Sequence, residues 1–548
     1  MARYILGLEL GATRTKAVIF DHDANVISRA CKDIKYYYPQ PGWVEVDAIE
    51  LWNDSQKVIE EALRNGRISP EDVEAIGIAN QATTTVFWDK NKSEPVGRAI
   101  AWPDKRTTAL YEQLSVAWAE DIDSRPGSKI IPQSTALRIR WLMENDKTIQ
   151  KRLARDELLY GTVDSWLIWK FSAGAAHITD LSNASVTFLV DTNTLNYNDW
   201  LLQKLAIPRN ILPEIRSSSE IYTNTDPECF FGVRIPIASA MVDLNSAVIS
   251  SACFEPGMTK ITYDFGSSII LNTGDKRIPS SLGIDSQLIW ASNGIAVYGL
   301  VGFMDISESV IQWLRDGLGI ISEVGEAGGL ASQVPSTQGV YFVPALNGLG
   351  MPYSDPYARG TIFGITAGTT KHHIARAALE AMVYQTRDLF KILNSFSEVK
   401  IKTVRMDGVG IQSEFLARFA ADILGVPVEK LNKEDGVLGA VFMAGLAHYP
   451  KSIDESIAQA TAAAQRASIL LSQEQLTFPG VISKVDPSKC AVCLTCVRLC
   501  PYGAPRINED HKAEILEALR ALIKNVRRWL SLRACRRTLT GHGFLRPP

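Results

Sequence analysis

One pattern constrains the fold of this chain more than any other: an apolar strand, a short glycine-containing turn and a second apolar strand, which occur twice. The first copy covers residues 4–21, and a more degenerate copy covers residues 262–274. Gly11 and Gly266 let each turn approach an anion closely, and nearby hydroxyl groups, those of Thr13 and Ser267 among them, can donate hydrogen bonds to it. Either copy alone is equally compatible with an ordinary β-hairpin. Because the pattern is repeated, we predict two facing domains, each with a phosphate-binding hairpin.

The size and composition of the chain indicate a globular protein that acts on small molecules. Its 548 residues exceed the usual size of one core, so two or three domains are expected. The hydrophobic fraction is 46% and the formal net charge is only -3, which gives no electrostatic reason to expect a nucleic-acid or membrane partner. The sequence begins directly with a strand pattern, without a signal peptide, and no stretch resembles a transmembrane helix. We therefore expect a cytoplasmic location.

Apolar periodicity predicts an α/β protein up to about residue 446. The clearest strand patterns are residues 75–79, 158–163, 234–238, 339–343 and 403–406, and the clearest helical patterns are residues 49–64 and 373–393. Pro256 and Gly257 form a natural joint between domains. We predict a first domain over residues 1–252, a second over 253–446, and a tail over 447–548 with a helical linker, a cysteine segment and a basic end.

Asp243 is the best candidate for a general base. Residues 235–240 have the pattern of a strand that carries it to the edge between the two domains, where a carboxylate can accept the proton of a hydroxyl group. An aspartate after a strand is more often the N-cap of a helix, and the residues alone favour that interpretation. A further strand-to-glycine turn, from Gly408 to Gly410, leads into the helical stretch 412–424 and is suited to packing against a nucleoside.

Longer motifs resemble the FGGY family of carbohydrate kinases, and most closely its glycerol kinase branch. They are residues 20–28, 38–45, 161–170, 311–316 and 348–360, followed by a family signature over residues 360–380. The resemblance extends from residue 1 to about residue 446. It implies two actin-like domains of the ribonuclease H-like type around a cleft, with ATP and Mg²⁺ on one side and a polyol or sugar on the other.

The same resemblance implies roles for single residues. Asp243 would deprotonate the hydroxyl group that attacks the γ-phosphate, the hairpin around Thr13 would hold the phosphates, and Glu9 would help to organise Mg²⁺. The full set expected to bind the nucleotide and its metal is Glu9, Gly11, Thr13, Arg14, Lys16, Gly266, Ser267, Gly408, Gly410 and Ser413.

The expected substrate pocket departs from the glycerol kinase pattern. Ala82 and Thr83 stand where that branch has arginine and glutamate, and Gln133 stands where it has tyrosine. Losing the charge-assisted hydrogen bonds would cost about 1.5–3 kcal/mol each, which argues against tight glycerol binding. We expect a differently shaped polyol or sugar, bound by Trp102, Thr83, Gln133 and Asn245.

The nucleotide side is also altered. The second hairpin carries Asp264 and Phe265 where the family has glycine and threonine, which places an anion and a bulky ring beside the polyphosphate. At about 4 Å and an effective dielectric near 20, a misplaced negative charge costs roughly 4 kcal/mol per phosphate charge unless a metal or a lysine intervenes. The alternative function is therefore a catalytically impaired kinase fold that serves as a scaffold or an electron-transfer accessory.

The cysteines indicate a separate activity near the end of the chain. Cys31, Cys229 and Cys253 are isolated and are expected to be buried thiols. The C-x2-C-x2-C-x3-C-P spacing of bacterial [4Fe–4S] ferredoxins is present in Cys490, Cys493, Cys496 and Cys500. Residues 447–515 resemble the ferredoxin-bearing part of the flavin subunit of heterodisulfide reductases. A structural zinc site is the alternative, since zinc also accepts four cysteines.

The tail lacks the second cysteine run that completes a two-cluster ferredoxin. Residues 516–537 have instead a basic amphipathic pattern with one further thiol, Cys535. We therefore expect at most one [4Fe–4S] cluster, with the remnant of a fusion or a truncated gene end as the alternative. The expected partners are completed by a second copy of the chain in a homo-oligomer and by a redox partner for the tail.

Overall fold

The computed structural model describes residues 3–118 and 131–448, apart from short gaps at 264–266, 280–282, 293, 305–307, 347, 354, 356, 409–413 and 432–435. After residue 448 it describes only residues 484–485, 505–507, 513–515 and 545–546. None of the described helices is long and apolar enough to cross a lipid bilayer.

The first half of the chain alternates strands with helices. Its strands are β1 (Tyr4–Leu10), β2 (Arg14–Phe20), β3 (Val26–Asp33), β4 (Tyr36–Tyr37), β5 (Glu45–Val46), β6 (Val73–Asn80), β7 (Val86–Asp89), β8 (Glu94–Pro95), β9 (Ala99–Ile100), β10 (Leu158–Gly161), β11 (Ile178–Asp180), β12 (Val190–Asp191), β13 (Asn196–Tyr197), β14 (Glu214–Arg216), β15 (Ser219–Asn224) and β16 (Pro236–Val242). Its helices are α1 (Ala48–Gly66), α2 (Thr108–Ala117), α3 (Thr135–Asn145), α4 (Lys147–Ala154), α5 (Val163–Phe171), α6 (Leu181–Val186), α7 (Asp199–Lys204) and α8 (Asp243–Ser250), with 3₁₀ turns at Pro70–Asp72 and Arg209–Ile211.

The second half repeats this organisation. Its strands are β17 (Met258–Thr262), β18 (Ser267–Gly274), β19 (Asp285–Ser292), β20 (Ile295–Met304), β21 (Tyr341–Val343), β22 (Thr361–Phe363), β23 (Thr403–Asp407) and β24 (Val428–Lys430). Its helices are α9 (Glu308–Asp316), α10 (Glu326–Ser332), α11 (Lys371–Phe396), α12 (Glu414–Leu424) and α13 (Leu438–His448).

Two six-stranded sheets form the centres of the two halves. The first has the strand order β15-β16-β6-β1-β2-β3, and the second has the order β19-β20-β18-β17-β23-β24. In each sheet three consecutive antiparallel strands are followed by two parallel ones: β3-β2-β1 continue into β6 and β16, and β20-β18-β17 continue into β23 and β24. The duplicated hairpin of the sequence is thus the start of a duplicated five-strand topology. The predicted pair of actin-like α/β domains is confirmed.

Burial explains why the central strands of the first sheet are so apolar. Seven of the eight residues of β6 are buried, as expected for a parallel strand covered on both faces. Helix α1 covers one face of this sheet, and its core residues include Leu51, Val58 and Ile59. The side chain of Asp47 caps the start of α1 by accepting hydrogen bonds from the amides of Ile49 and Glu50.

The opposite face of the first sheet is covered by α13, although this helix comes from the end of the second half. Val437, Ala440, Val441 and other residues of this segment share a core with side chains of the first sheet. A Cβ atom at Gly77 would lie 2.5 Å from the carbonyl oxygen of Ala440, so only glycine permits this approach. The sequence boundary at residue 446 assigned α13 to the second domain, and its packing against the first was not foreseen.

The predicted strands agree with the structure better in their centres than at their ends. The patterns at 75–79 and 403–406 lie inside β6 and β23. The pattern at 158–163 runs too far, because Val163 begins α5, and the pattern at 234–238 starts before β16 and stops short of its end. The true end of β16 at Val242 brings this strand directly to Asp243.

The contacts divide the chain into Met1–Leu471 and Ser472–Pro548. In the second unit, β25 (Lys484–Val485) pairs antiparallel with β28 (Leu545–Arg546), and β26 (Pro505–Ile507) pairs antiparallel with β27 (Ala513–Ile515). The predicted linker helix, the cysteine motif and the basic amphipathic stretch all lie outside the described residues.

Candidate functional site

The first hairpin forms a tight turn between β1 and β2. The amide of Gly11 donates a hydrogen bond to the carbonyl oxygen of Arg14 at 3.0 Å. Glu9 and Lys16 lie opposite each other in the strand register, and their side chains approach to 3.6 Å between Nζ and Oε2. Thr13 and Arg14 are exposed at the tip, where Arg14 Nε also donates to Asp33. The turn therefore presents a basic, hydroxyl-bearing tip above a buried acidic side chain.

Asp243 lies at the same edge of the sheet. Strands β1, β6 and β16 run parallel to one another, with Leu10, Asn80 and Val242 aligned across their carboxyl ends. Val242, and not Asp243, is the N-cap residue of α8, so the N-cap interpretation of Asp243 was wrong. The carboxylate of Asp243 accepts one short-range hydrogen bond, from the amide of Leu244 at 2.7 Å.

The surroundings of Asp243 make its carboxyl group unusually basic. Its pKa is raised from the ordinary value of 3.8 to about 7, first because the carboxylate is desolvated and second because Glu9 is a neighbouring negative charge. The hydrogen bond from Leu244 and the positive charge of Lys16 act in the opposite direction. A carboxyl group with this pKa is suited to accept a proton near neutral pH.

Glu9 and Asp243 form an acidic pair, and Gly436, just before α13, lies beside both residues. A Cβ atom at Gly436 would lie 3.9 Å from Oε1 of Glu9 and 4.0 Å from the carbonyl oxygen of Asp243. The hydroxyl groups of Ser246 and Ser250 in α8 donate hydrogen bonds to the carbonyl oxygen of Gly436. Helix α13 is thereby fixed to α8, the helix that carries Asp243.

The loop after β6 supplies the predicted substrate-binding residue Thr83. Thr83 has a φ of 64°, a rare conformation for a β-branched residue. The buried guanidinium group of Arg138 donates to its carbonyl oxygen at 2.8 Å and to its hydroxyl oxygen at 3.3 Å. The same group donates to the carbonyl oxygen of Trp102 at 2.7 Å. Arg138 therefore joins two of the predicted pocket residues, a role that the sequence analysis missed.

The other two predicted pocket residues have different environments. Gln133 is partly exposed, two residues before α3. Asn245 is buried in α8, and its Nδ2 atom donates to the carbonyl oxygen of Leu288 in β19 at 3.1 Å. This contact favours a structural role for Asn245 over the substrate contact that was expected of it.

Tyr36 is a further residue of the site that the sequence analysis missed. Its hydroxyl group donates to the carbonyl oxygen of Ala12, in the turn of the first hairpin, at 2.6 Å. Burial raises the pKa of Tyr36 to about 12, and the charge of Asp243 contributes to this shift. Tyr36 therefore connects the hairpin turn with the surroundings of Asp243. The signal in the sequence was weak, because Tyr36 lies in a run of three tyrosines outside the long motifs.

The strands that flank the turn of the second hairpin, β17 and β18, are mostly buried. Ser267 begins β18 and is buried, whereas Gly266, Asp264 and Phe265 lie outside the described residues. Lys260 is fully buried in β17, donates to the hydroxyl oxygen of Thr262 at 2.7 Å and forms an ion pair with Asp407. A lysine, the residue type that can offset a nearby anion, thus lies two residues before the last residue of β17.

Gly408 follows β23 and lies beside that hairpin. Its φ is 107°, and a Cβ atom there would lie 2.1 Å from the carbonyl oxygen of Tyr263. No other residue type fits this contact without backbone movement. Gly410 and Ser413, predicted for the same turn, lie outside the described residues.

The isolated cysteines differ in exposure. Cys253 is buried as expected, Cys229 is half-buried, and Cys31 is exposed, so the expectation of a buried thiol was wrong for Cys31. Within the described part of the chain, no group of three or more histidine, cysteine or acidic side chains is arranged to hold a metal ion. The four clustered cysteines lie outside that part.

Comparison with known families assigns most of the chain. Residues 4–250 match the N-terminal domain and residues 263–448 match the C-terminal domain of the FGGY family of carbohydrate kinases. Residues 483–506 match a 4Fe-4S binding domain.

Curated relatives match over most of their own length. A glycerol kinase 2 of Thermotoga maritima is 44% identical over 447 residues, which are 81% of this chain and 90% of that protein. A glycerol kinase of Carboxydothermus hydrogenoformans is 43% identical over 447 residues, which are 81% of this chain and 89% of that protein.

Solved structures share the fold. The glycerol kinase of Plasmodium falciparum, crystallised with ADP, has a TM-score of 0.78 and 27% identity, and the match covers 87% of this chain and 99% of that one. A xylulose kinase from Brucella ovis has a TM-score of 0.73 and 20% identity, with 86% and 99% of the two chains covered.

Proposed function

Because the chain belongs to the FGGY family of carbohydrate kinases, which transfer a phosphoryl group from ATP to a hydroxyl group of a polyol or sugar, we propose that Asp243 is the general base of this reaction. The observation that carries the proposal is the position of Asp243 directly after β16, at the sheet edge that also carries the glycine hairpin, and the pKa raised to about 7 by burial and by Glu9 supports it. The matches to FGGY carbohydrate kinases and to glycerol kinases support the kinase, and the alternative of an impaired scaffold has no better support.

The proposed reaction is an in-line displacement. The carboxylate of Asp243 accepts the proton of the substrate hydroxyl group, the oxygen forms a bond to the γ-phosphorus, and the bond to the bridging oxygen of ADP breaks. A base that titrates near pH 7 is present in its deprotonated form in a large fraction of molecules at neutral pH, and it remains basic enough to take the proton. Positioning supplies most of the remaining rate enhancement.

The acidic pair fits a magnesium ion. Glu9 and Asp243 repel each other, as the raised pKa of Asp243 indicates, and carboxylate oxygens are the ligands that Mg²⁺ prefers. When bound, Mg²⁺ would neutralise charge on the transferred phosphate. We expect the tip of the first hairpin, with Gly11, Thr13, Arg14 and Lys16, to contact the phosphates from one side.

On the second domain, we expect the backbone at Gly266 and the hydroxyl group of Ser267 to contact the phosphates from the other side. The turn that begins at Gly408, with Gly410 and Ser413, would hold the nucleoside. The ion pair between Lys260 and Asp407 supports this assignment, because it joins the strand that leads into the hairpin to the last residue of β23, directly before Gly408.

The proposed acceptor is a polyol or sugar held by neutral groups. Trp102 offers an apolar wall, and Thr83 and Gln133 offer hydrogen bonds without charge. Arg138 is occupied by the carbonyl groups of Thr83 and Trp102, so it fixes the shape of the pocket instead of replacing the missing arginine. We therefore expect weaker selection for glycerol and better use of a polyol or sugar of a different shape.

The test is ADP release from the purified protein with ATP, Mg²⁺ and a panel of polyols and sugars. We expect turnover with at least one acceptor and its loss in Asp243→Asn. Asp199→Asn is the matched control, because Asp199 is also the first residue of a helix but has an exposed side chain. The proposal is wrong if no acceptor supports ADP release, or if Asp243→Asn retains the wild-type rate.

We further propose that the tail holds one [4Fe–4S] cluster through Cys490, Cys493, Cys496 and Cys500. The match of residues 483–506 to a 4Fe-4S binding domain supports this, together with the cysteine spacing. Anaerobic reconstitution should give about four iron and four sulfide per chain, with broad absorption near 400 nm that disappears in a variant with all four cysteines changed to serine. Stoichiometric zinc in the purified protein, or no retained iron, would contradict it.

A redox partner for the tail, a homo-oligomer and a cytoplasmic location remain predictions. Light scattering of the purified protein would test the oligomer, and fractionation of cells would test the location. Electron transfer between the tail and a redox partner would be tested by reducing the reconstituted cluster with a low-potential electron donor.

A further inference from the structure

A buried carboxylate outside the proposed reaction centre organises an extensive hydrogen-bond network. Asp180 ends β11, immediately precedes α6 and is fully buried. Its two oxygens accept five hydrogen bonds, from the amides of Ser182 and Asn183, the amide side chain of Asn183, and the hydroxyl groups of Ser182 and Ser218. The two bonds from backbone amides cap the start of α6. The side chains of Ser182, Asn183 and Ser218 also form hydrogen bonds to other elements.

The first connection runs to the residue before Asp243. The hydroxyl oxygen of Ser182, which donates to Asp180 at 3.0 Å, accepts a hydrogen bond from the amide of Val242 at 3.0 Å. Val242 is the last residue of β16 and the N-cap residue of α8. Ser182 therefore fixes the backbone at the point where the chain turns from the strand into the helix that begins with Asp243.

The second connection runs to the end of β6. Asn183, bound to Asp180 at 2.9 Å, exchanges two hydrogen bonds with the side chain of Asn80, at 2.8 and 3.1 Å. Asn80 lies between Leu10 and Val242 in the sheet register. This side-chain pair therefore ties the carboxyl end of β6, the central strand of the three, to α6.

The third connection crosses to the second domain. The hydroxyl group of Ser218 donates to Asp180 at 2.7 Å and accepts from the amide of Ala291 at 3.2 Å. The amide of Ser218 in turn donates to the carbonyl oxygen of Ala291 at 2.9 Å. Ala291 belongs to β19, the edge strand of the second sheet.

We infer that Asp180 is a positioning residue that couples the backbone under Asp243 to the second domain. The inference rests on the proposed role of Asp243. One carboxylate supplies the acceptor for all three connections, so a displacement of β19 is transmitted to Ser182 and Asn183 through the same two oxygen atoms. Closure of the two domains over the nucleotide would then set the orientation of the base.

Three variants separate the connections. Asp180→Asn keeps the size of the side chain but replaces one acceptor oxygen with a donor group, so it should weaken every connection. Ser182→Ala removes the hydroxyl group that links Asp180 to Val242, and Ser218→Ala removes the hydroxyl group that links Asp180 to Ala291. Ser239→Ala is the matched control, because the buried hydroxyl group of Ser239 in β16 has no hydrogen-bond partner in the described structure.

Amide hydrogen exchange measured by mass spectrometry tests the coupling without relying on turnover. We expect about tenfold faster exchange in peptides with Val242 and Ala291 in Asp180→Asn, in only the first peptide in Ser182→Ala, and in only the second in Ser218→Ala. Ser239→Ala should change neither. Unchanged exchange in both peptides of Asp180→Asn, or an equal increase throughout the first sheet, would overturn the inference.

Kinetics provide the second readout. Asp180→Asn and Ser182→Ala should lower kcat about tenfold with little change in KM for the acceptor, since the base is misoriented while the pocket stays intact. A purely structural role would leave kcat of the folded fraction unchanged, which would also overturn the inference. Failure of the wild-type protein to turn over would reject the kinase mechanism, while the exchange data would still decide the role of Asp180.

Discussion

Replacing Asp243 by asparagine should stabilise the fold while abolishing activity, and the gain should depend on pH. The pKa of Asp243 is raised to about 7 in the folded protein, from an ordinary value of 3.8. A raised carboxyl pKa means that the folded state tolerates the charged form less well than the unfolded state does. The stability associated with the protonated carboxyl group is therefore complete below pH 3.8 and is lost as the pH rises through 7.

The magnitude follows from the size of the shift. One pKa unit corresponds to about 1.4 kcal/mol, so the raised pKa of Asp243 costs the wild-type fold about 4 kcal/mol at pH 8, where the carboxyl group is ionised in both states, and about 1.5 kcal/mol at pH 5, where it is ionised only in the unfolded state. These are upper values, because the residue keeps some contact with solvent. Asparagine retains an oxygen that can accept the hydrogen bond from the amide of Leu244. Asp243→Asn should thus gain about 2.5 kcal/mol more at pH 8 than at pH 5.

Urea denaturation of the wild type and the variant at both pH values measures this difference through the unfolding midpoints. Asp199→Asn, which changes an exposed carboxylate, should show no such pH-dependent gain. An equal effect of Asp243→Asn at pH 5 and pH 8, or a loss of stability at pH 8, would refute the proposed electrostatic environment.

Three other substitutions test neighbouring parts of the structure. Glu9→Gln should lower the pKa of Asp243 by removing a negative charge, so the acidic limb of the pH profile of kcat/KM should move to lower pH even if the maximal rate falls; an unmoved limb would contradict this. Arg138→Lys should raise KM for the acceptor about tenfold, because one ammonium group cannot reach both carbonyl oxygens of the pocket, and an unchanged KM would argue against it. Gly77→Ala should lower the free energy of unfolding by about 1–3 kcal/mol, because its Cβ atom would clash with α13. Gly329→Ala should raise the free energy of unfolding by about 0.5–1 kcal/mol, because Gly329 lies inside α10 with open space around its Cβ position. Denaturation midpoints compare the two variants.

The parts of the fold that could be predicted from the sequence are those encoded by local patterns. The hairpin at residues 4–21 and the strand that leads to Asp243 are continuous apolar runs, and their periodicity survives in the structure as β1, β2 and β16. Helix ends were less predictable, and the N-cap role expected of Asp243 belongs to Val242. The cap depends on backbone dihedral angles that a single residue type does not determine.

The unpredicted parts of the site depend on contacts between distant segments. Arg138 contacts Thr83 across 55 positions of sequence, and Tyr36 contacts Ala12 across 24. Such pairs leave no periodic signal in one sequence, because each partner follows its own local pattern. The same holds for α13, whose apolar residues predict a buried helix without indicating which sheet buries it.

Phosphorus-31 NMR of the wild-type protein with ATP, Mg²⁺ and the best acceptor of the panel shows whether the γ-phosphoryl group reaches the acceptor. We expect ADP and a new phosphomonoester of the acceptor to appear in equal amounts, and neither to appear with Asp243→Asn. ADP that accumulates with inorganic phosphate and without a phosphomonoester, or a phosphomonoester formed equally well by Asp243→Asn, would contradict this expectation.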